Sequence, residues 1–266
     1  MRIYPGLLMT CVGFMLLLLL ACSSSTRRKL MVTAHRGASG LAPENTIAAM
    51  LKAIDFHSDY AELDVQETKD GYLILLHDDD LNRTTNGSGA IWEKTLADLN
   101  HVDAGSWMSD EFANEPVPLL SAVMDTVEGK MKLNIELKIS GHQVELERRV
   151  VKLIEEKRFV DQCVVTSFNW DSVEKVKRLN PRIRAGLIFA EFPERDIFKT
   201  DWELLSVYHK LITPEFVQKA HAAGKEVHVW TVNDPKLMKK LIDDGVDNII
   251  TNRPDILQQV LAEVGM

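Results

Sequence analysis

Two short segments carry acidic side chains that could act together. In Ala61-Glu62-Leu63-Asp64-Val65-Gln66 polar and apolar residues alternate strictly. An extended chain therefore puts Glu62, Asp64 and Gln66 on one face and Ala61, Leu63 and Val65 on the other. Leu133-Asn134-Ile135-Glu136-Leu137-Lys138 repeats the pattern, with Asn134, Glu136 and Lys138 sharing a face. If Glu62, Asp64 and Glu136 converge, their carboxylates repel one another and need a counter-charge. One hard divalent cation, Mg²⁺ or Ca²⁺, suits such an all-oxygen set. The plainer alternative is two half-exposed strands with solvated acids.

Two histidines join this inventory. Lys69-Asp70-Gly71 has the composition of a tight hairpin turn. Folding the chain back about it brings His77 opposite Asp64, or within a residue or two of that position. His35-Arg36-Gly37 closes another apolar segment. There His35 can exchange protons near neutral pH, and Arg36 offers a planar, permanently charged fork for phosphate oxygens. Lys138 adds a second positive charge beside Glu136. A cation site, two histidines, an arginine and a lysine fit phosphoryl transfer or phosphodiester cleavage better than redox or acyl chemistry. No GxSxG, CxxC, HExxH, Walker A or GxGxxG motif occurs. His57, His101, His142, His209, His221 and His228 lack such a context and read as structural or surface residues. Of these, only His228 shares a strand face with Trp230 and could approach a pocket.

The elements that must position these groups follow from the apolar pattern. Strands are expected at 32–35, 61–66, 133–138, 164–167, 185–188, 204–208, 226–231 and 248–251, with a hairpin return at 72–77. Helices are expected at 44–56, 144–157, 170–179, 214–223 and 235–243. Asn169 or Asp171 and Thr213-Pro214 open two of them, and Gly224 and Gly245 end two. Eight strands alternating with helices favour an α/β fold of the (β/α)8 TIM-barrel type over an open sheet. The stretch from about 78 to 118 breaks the alternation and reads as an insertion, either shaping a substrate entrance or making a surface excursion.

The chain has 266 residues, 31 Lys plus Arg against 39 Asp plus Glu, and a net charge of −8. With 45% hydrophobic and 26% charged residues it has the balance of a folded protein. Its acidity argues against a nucleic-acid partner, and no protein partner is inferred. Arg2, the uncharged run from Ile3 to Ala21 and the following Ser/Thr stretch read as an export signal. Leu19-Leu20-Ala21-Cys22 resembles a bacterial lipoprotein cleavage site, so residues 1–21 are expected to be removed and Cys22 to be the lipidation site. Residues 22–30 would form a tether to a membrane, at the periplasmic face of an outer membrane or at the cell surface. About 245 residues would remain, close to the ~250 of a (β/α)8 barrel. Cys163 would then be the one thiol left in the body, so no internal disulfide is expected.

The segment His35-Arg36-Gly37-Ala38-Ser39-Gly40-Leu41-Ala42-Pro43-Glu44-Asn45-Thr46 resembles the opening signature of glycerophosphodiester phosphodiesterases. Glu62 to Gln66, His77-Asp78 with Leu81 to Gly87, Asn134 to Lys138, Ser167-Phe168-Asn169, Trp230 to Asn233 and Gly245 to Pro254 continue the resemblance in order. It spans about residues 31–258, the expected barrel domain being 31–266. The resemblance implies metal-dependent hydrolysis of glycerophosphodiesters, such as glycerophosphocholine and glycerophosphoethanolamine, to an alcohol and sn-glycerol 3-phosphate. By it, His35 and His77 are the general acid/base pair, and Glu62, Asp64 and Glu136 hold the divalent ion. Arg36 and Lys138 bind phosphate, Trp230 walls the glycerol moiety, and Glu44 holds the site or the metal. The nucleophile is either water or the neighbouring glycerol hydroxyl. Phospholipase-like cleavage of lysolipids or phospholipids on the same scaffold is an alternative, since Trp92, Trp107, Met108 and Phe112 lie in the insertion. There they could line an apolar rim or simply pack the insertion down. A non-catalytic solute-binding lipoprotein is the alternative of another class.

Overall fold

A computed structural model describes residues 29–266. The expected signal, Cys22 and most of the tether lie outside the described residues. Eight parallel strands close into a barrel. In chain order these are β1 (Met31–Ala34), β2 (Tyr60–Glu67), β4 (Lys132–Leu137), β5 (Cys163–Ser167), β6 (Arg184–Phe189), β7 (Leu204–Tyr208), β8 (Glu226–Trp230) and β9 (Asn248–Thr251). Each pairs with the next, and β1 pairs with both β9 and β2, which completes the ring. The remaining strand, β3 (Leu73–Leu75), runs antiparallel to β2 outside the ring.

Helices follow the barrel strands and cover them: α1 (Ile47–Asp55), α3 (Leu120–Val127), α4 (Leu146–Glu156), α5 (Trp170–Leu179), α6 (Pro214–Ala222), α7 (Pro235–Asp244) and α8 (Pro254–Glu263), with a one-turn α2 (Leu96–Leu99) in the insertion. The sequence reading passed over α3 and α8. In α3 the buried residues Leu120, Val123, Met124 and Val127 nonetheless stand at helical spacing. After β6 a single helical turn at Ile197–Lys199 takes the place of a full helix. Expected strand ends at His35, Lys138 and Thr231 fall one residue beyond the observed ones, although the His35 and Lys138 amides still donate to the carbonyls of Thr251 and Val65 on the neighbouring strands.

Local chemistry explains the helix starts. Thr46, Asn169 and Thr213 each accept a hydrogen bond from the amide three residues on, and Asp234 accepts two at the start of α7. Proline occupies the first turn of α6, α7 and α8, where its missing N–H costs nothing. Gly245 ends α7 with φ +86°.

Every residue of β2 is buried. Ala61, Leu63 and Val65 join the main core between barrel and helices, while Glu62, Asp64 and Gln66 face inward. Gly37 permits the first loop to fold tightly over α1. Its φ is +74°, and a Cβ there would stand 2.6 Å from the Ala49 Cβ. Cys163 is buried and free, and burial pushes its thiol up to about 12.

The insertion has a small core of its own, built from Ile74, Leu76, Leu81, Ile91, Leu99, Ala104 and Val117 with Trp92 packed against it. Glu115 accepts a hydrogen bond from the Ala48 amide at the start of α1 (3.0 Å). Trp92 stacks on His142 with ring centroids 3.7 Å apart. Trp92 therefore packs the insertion down as expected, whereas Trp107 and Met108 stay on the surface.

Candidate active site

A pocket of about 110 Å³ opens at the carboxyl ends of the strands, lined among others by His35, Arg36, Glu62, His77, Glu136, Lys138, Phe168 and Trp230. The register of β2 on β4 sets Asp64 beside Glu136 and Glu62 beside Asn134. Inward-facing neighbours on adjacent strands are forced together, and ligand oxygens of Glu62, Asp64 and Glu136 lie within 4.8 Å of one another.

The surroundings of these three acids differ. Asp64 is almost wholly buried and is held by a reciprocal pair: its carboxylate accepts from Asn45 Nδ2 (2.8 Å) and its amide donates to Asn45 Oδ1 (3.1 Å). Burial pushes its carboxyl up, but the charges of Lys138 and Arg36 outweigh that and hold it below the usual carboxylate range. Lys138 Nζ stands 2.9 Å from Glu136 and 3.5 Å from Asp64. Glu136 is nevertheless raised to about 7, by burial and by the facing charge of Asp64. Glu62 is pushed well above its ordinary value by burial and by both neighbouring acids. Its Oε2 accepts from the Arg36 amide (2.8 Å), while its buried Oε1 has no partner.

An orphaned carboxylate oxygen, three converging acids and two of them driven toward protonation are what a bound divalent cation would resolve. The donor set therefore fits such an ion. The expectation of solvated acids fails, since all three are buried.

The histidines flank this cluster. His35 is fixed by Nδ1, which donates to Asn252 Oδ1 (2.7 Å), leaving Nε2 3.9 Å from Glu62. Burial and the adjacent Arg36 charge lower His35 to about 4, so it is neutral at pH 7. His77 follows β3, and its Nδ1 meets Asp78 Oδ1 at 2.6 Å. The hairpin register runs Val65 against Leu75 and Gln66 against Ile74, one residue short of the register expected. Gln66 compensates by donating to the carbonyls of Leu76 and Asp78, which bracket His77.

Arg36 adopts φ +53°, pairs through Nη1 with Glu44 (2.8 Å) and brings Nε within 3.4 Å of Asp64 Oδ2. Glu44 stands outside the acidic triad. It is held below its ordinary range because Arg83 and Arg36 outweigh the effect of burial. Trp230 forms one wall, edge-on to Phe168 at 5.6 Å.

Residues 35–256 match the Glycerophosphoryl diester phosphodiesterase family. The chain belongs to that family. It is 36% identical to a glycerophosphodiester phosphodiesterase of Caldanaerobacter subterraneus subsp. tengcongensis, over 89% of this chain and all of the relative. Its fold matches that of an Oleispira antarctica phosphodiesterase in complex with the product sn-glycerol 3-phosphate, at a TM-score of 0.83 and 32% identity. That match covers 87% of this chain and 96% of the other. A glycerophosphodiester phosphodiesterase of Agrobacterium tumefaciens matches at a TM-score of 0.77 and 28% identity, over 87% and 100% of the two chains. The chain is thus an enzyme, a glycerophosphodiester phosphodiesterase, and the solute-binding alternative is set aside.

Within this phosphodiesterase the structure brings together His35, His77, Glu62, Asp64, Glu136, Arg36, Lys138 and Trp230, and places Glu44 just behind Arg36. Sequence reasoning gave no role to Asn45, Gln66, Asp78, Arg83, Phe168 or Asn252. Several of these stand inside the quoted motifs, but their contacts span up to 217 positions and leave no local periodic signal. His228 is buried in the barrel between Glu226 (3.3 Å) and Asn248 (3.5 Å) and does not line the pocket.

The raised acids give a pH dependence of known sign. Below about 7 a proton competes for Glu136, and Glu62 adds to this, so cation affinity must fall as pH falls. Calorimetric titration with Mg²⁺ or Ca²⁺ is expected to show affinity weaker by ~10-fold or more at pH 5.5 than at pH 8, with proton release on binding. Affinity independent of pH over that range would contradict the assignment.

Proposed function

We propose that the enzyme hydrolyses glycerophosphodiesters such as glycerophosphocholine and glycerophosphoethanolamine to the alcohol and sn-glycerol 3-phosphate, with His35 as general base and His77 as general acid. The observation that carries this reading is the unlike setting of the two rings around one pocket. His35 is neutral, with Nδ1–H committed to Asn252, so its Nε2 lone pair is the proton acceptor. His77 has the Asp78 carboxylate on Nδ1, which fixes the ring so that Nε2 is the nitrogen left to serve a departing oxygen.

Glu62, Asp64 and Glu136 are the proposed holders of one divalent cation, Mg²⁺ or Ca²⁺, which when bound supplies Lewis-acid stabilisation of phosphoryl charge. Arg36 and Lys138 face the same volume and bind the phosphate oxygens. Arg36 sits between the two acids, with Nη1 on Glu44 and Nε 3.4 Å from Asp64 Oδ2, which holds its fork at the pocket. His35 takes the proton of the attacking hydroxyl, from water or from the glycerol moiety. His77 gives one to the leaving alcohol. With water as nucleophile this yields sn-glycerol 3-phosphate, and the rings reset by proton exchange with solvent. Attack by the glycerol hydroxyl instead gives a cyclic phosphate that water opens in a second step, with the two rings' roles reversed. Trp230 and Phe168 offer apolar contact to the carbon skeleton, in keeping with the mixed lining of such pockets.

A second reading has one observation behind it. Phe168 is 51% exposed at the pocket lip, which would also suit the acyl chain of a lysolipid.

For location, we propose that residues 1–21 are a signal peptide and that Cys22 is lipidated, with 22–30 as tether to the barrel domain of 31–266. No helix among the described residues is long and apolar enough to cross a membrane. Lys29 and Met31 line a cleft with Glu226 and Asp247, at the end of the barrel where strands begin. A tether entering there would turn the pocket away from the supporting membrane, toward soluble diesters.

The activity test is release of glycerol 3-phosphate from glycerophosphocholine and glycerophosphoethanolamine, with and without EDTA. The expected result is release abolished by chelation and restored by Mg²⁺ or Ca²⁺. His35→Ala and His77→Ala should each lower kcat by roughly 10²–10⁴-fold. Near-wild-type turnover in either variant would remove that histidine from the mechanism. Turnover confined to lysolipids would favour the second reading. For the anchor, Cys22→Ala is expected to abolish labelling by radioactive palmitate and to release the enzyme from membranes. Labelling that persists in this variant would contradict lipidation at Cys22.

A further inference from the structure

We infer that Arg83, from the insertion, is a positioning residue that sets the acid histidine and the phosphate clamp in one geometry. Its guanidinium makes two pairs of contacts on two carboxylates. Nε and Nη2 reach Asp78 Oδ2 and Oδ1 at 2.5 and 3.0 Å. Nη1 and Nη2 reach Glu44 Oε2 and Oε1 at 3.0 and 2.7 Å. Each carboxylate passes the constraint to a group lining the pocket. Asp78 holds His77 Nδ1, and Glu44 holds Arg36 Nη1. Arg83 itself does not line the pocket, so it acts through these two.

The arrangement is directional. Asp78 and Glu44 come from different loops, 34 positions apart in sequence, and without the guanidinium two carboxylates would face each other at the mouth. Their separation, and with it the offset between the His77 ring and the Arg36 fork, is set by a rigid planar cation that engages both in forked fashion. Lysine, with a single ammonium, cannot make four such contacts. Arg83 is 45% exposed, and exposed ion pairs contribute little stability, so its removal should leave the fold in place. Small displacements of catalytic groups, by contrast, cost rate steeply. The insertion is thereby part of the catalytic geometry and not merely a cover.

This inference rests on the assignment of His77 as acid, and the experiment separates the two. Arg83→Ala, Arg83→Lys and His77→Ala are compared on glycerophosphocholine, whose alcohol must be protonated, and on the 4-nitrophenyl ester of glycerol 3-phosphate, whose leaving group needs no proton. Arg83→Ala is expected to lose ~10- to 100-fold in kcat on the choline ester and clearly less on the nitrophenyl ester, where only the displaced Arg36 fork contributes to the loss. Arg83→Lys should fall between, and affinity for Mg²⁺ should be unchanged in both because the triad is untouched. Equal losses on the two esters with Arg83→Ala, or no loss on either, would overturn the inference. If His77→Ala itself fails to discriminate between the esters, the acid assignment falls and this inference falls with it. Discrimination by His77→Ala but not by Arg83→Ala defeats this inference alone.

Discussion

Three carboxylates buried within 4.8 Å of one another set the terms for the rest of the molecule. Such a cluster is electrostatically unfavourable by itself, and its members divide the strain unevenly. Asp64 stays ionised through Lys138 and Arg36, while Glu62 and Glu136 are driven toward their neutral forms. The barrel brings the acids this near by strand register. Parallel pairing of β2 and β4 in one register makes Asp64 and Glu136 neighbours, and the helices outside seal the apolar faces of both strands. The proposed cation would turn this unfavourable cluster into the organising centre of the pocket.

Around that centre the fold treats two chemically identical side chains differently. His35 follows β1 directly, half-buried beside a permanent positive charge, and is kept neutral. His77 arrives on a hairpin return, with Asp78 at its back and Gln66 gripping the chain on both sides. The two rings are thus held by unlike partners at Nδ1, an amide oxygen for His35 and a carboxylate for His77, which suits them to unlike roles. Charged side chains then link the two loops that carry Arg36 and His77, so the mouth of the barrel is one connected network from Arg36 through Glu44 and Arg83 to Asp78.

Much of this was legible in the amino-acid order. Strict alternation in 61–66 and 133–138 separates a packing face from a chemical face, and the barrel uses both as expected. Asp70-Gly71 turns the chain as its composition predicts, and brings His77 to the acids despite a one-residue difference in register. Less legible were groups whose meaning depends on distant partners. Asn252 orients His35 across 217 positions, and Arg83 joins Glu44 across 39, separations at which no periodic pattern survives. Glu44 could be read as a metal ligand or a site holder, and only the fold shows it facing two arginines. The helix missing after β6 had no counterpart in the expected set either, where a single turn suffices to cover the barrel.

The proposed divalent cation among Glu62, Asp64 and Glu136 is the group around which the pocket's chemistry is arranged. Its placement is tested most directly by diffraction from crystals soaked in Mn²⁺ at a concentration that supports activity, with anomalous data collected. One strong anomalous peak bonded to oxygens of all three carboxylates, and lost in Glu62→Gln, is the expected result. An active enzyme with no peak at the triad, or with the ion held elsewhere in the pocket, would contradict it.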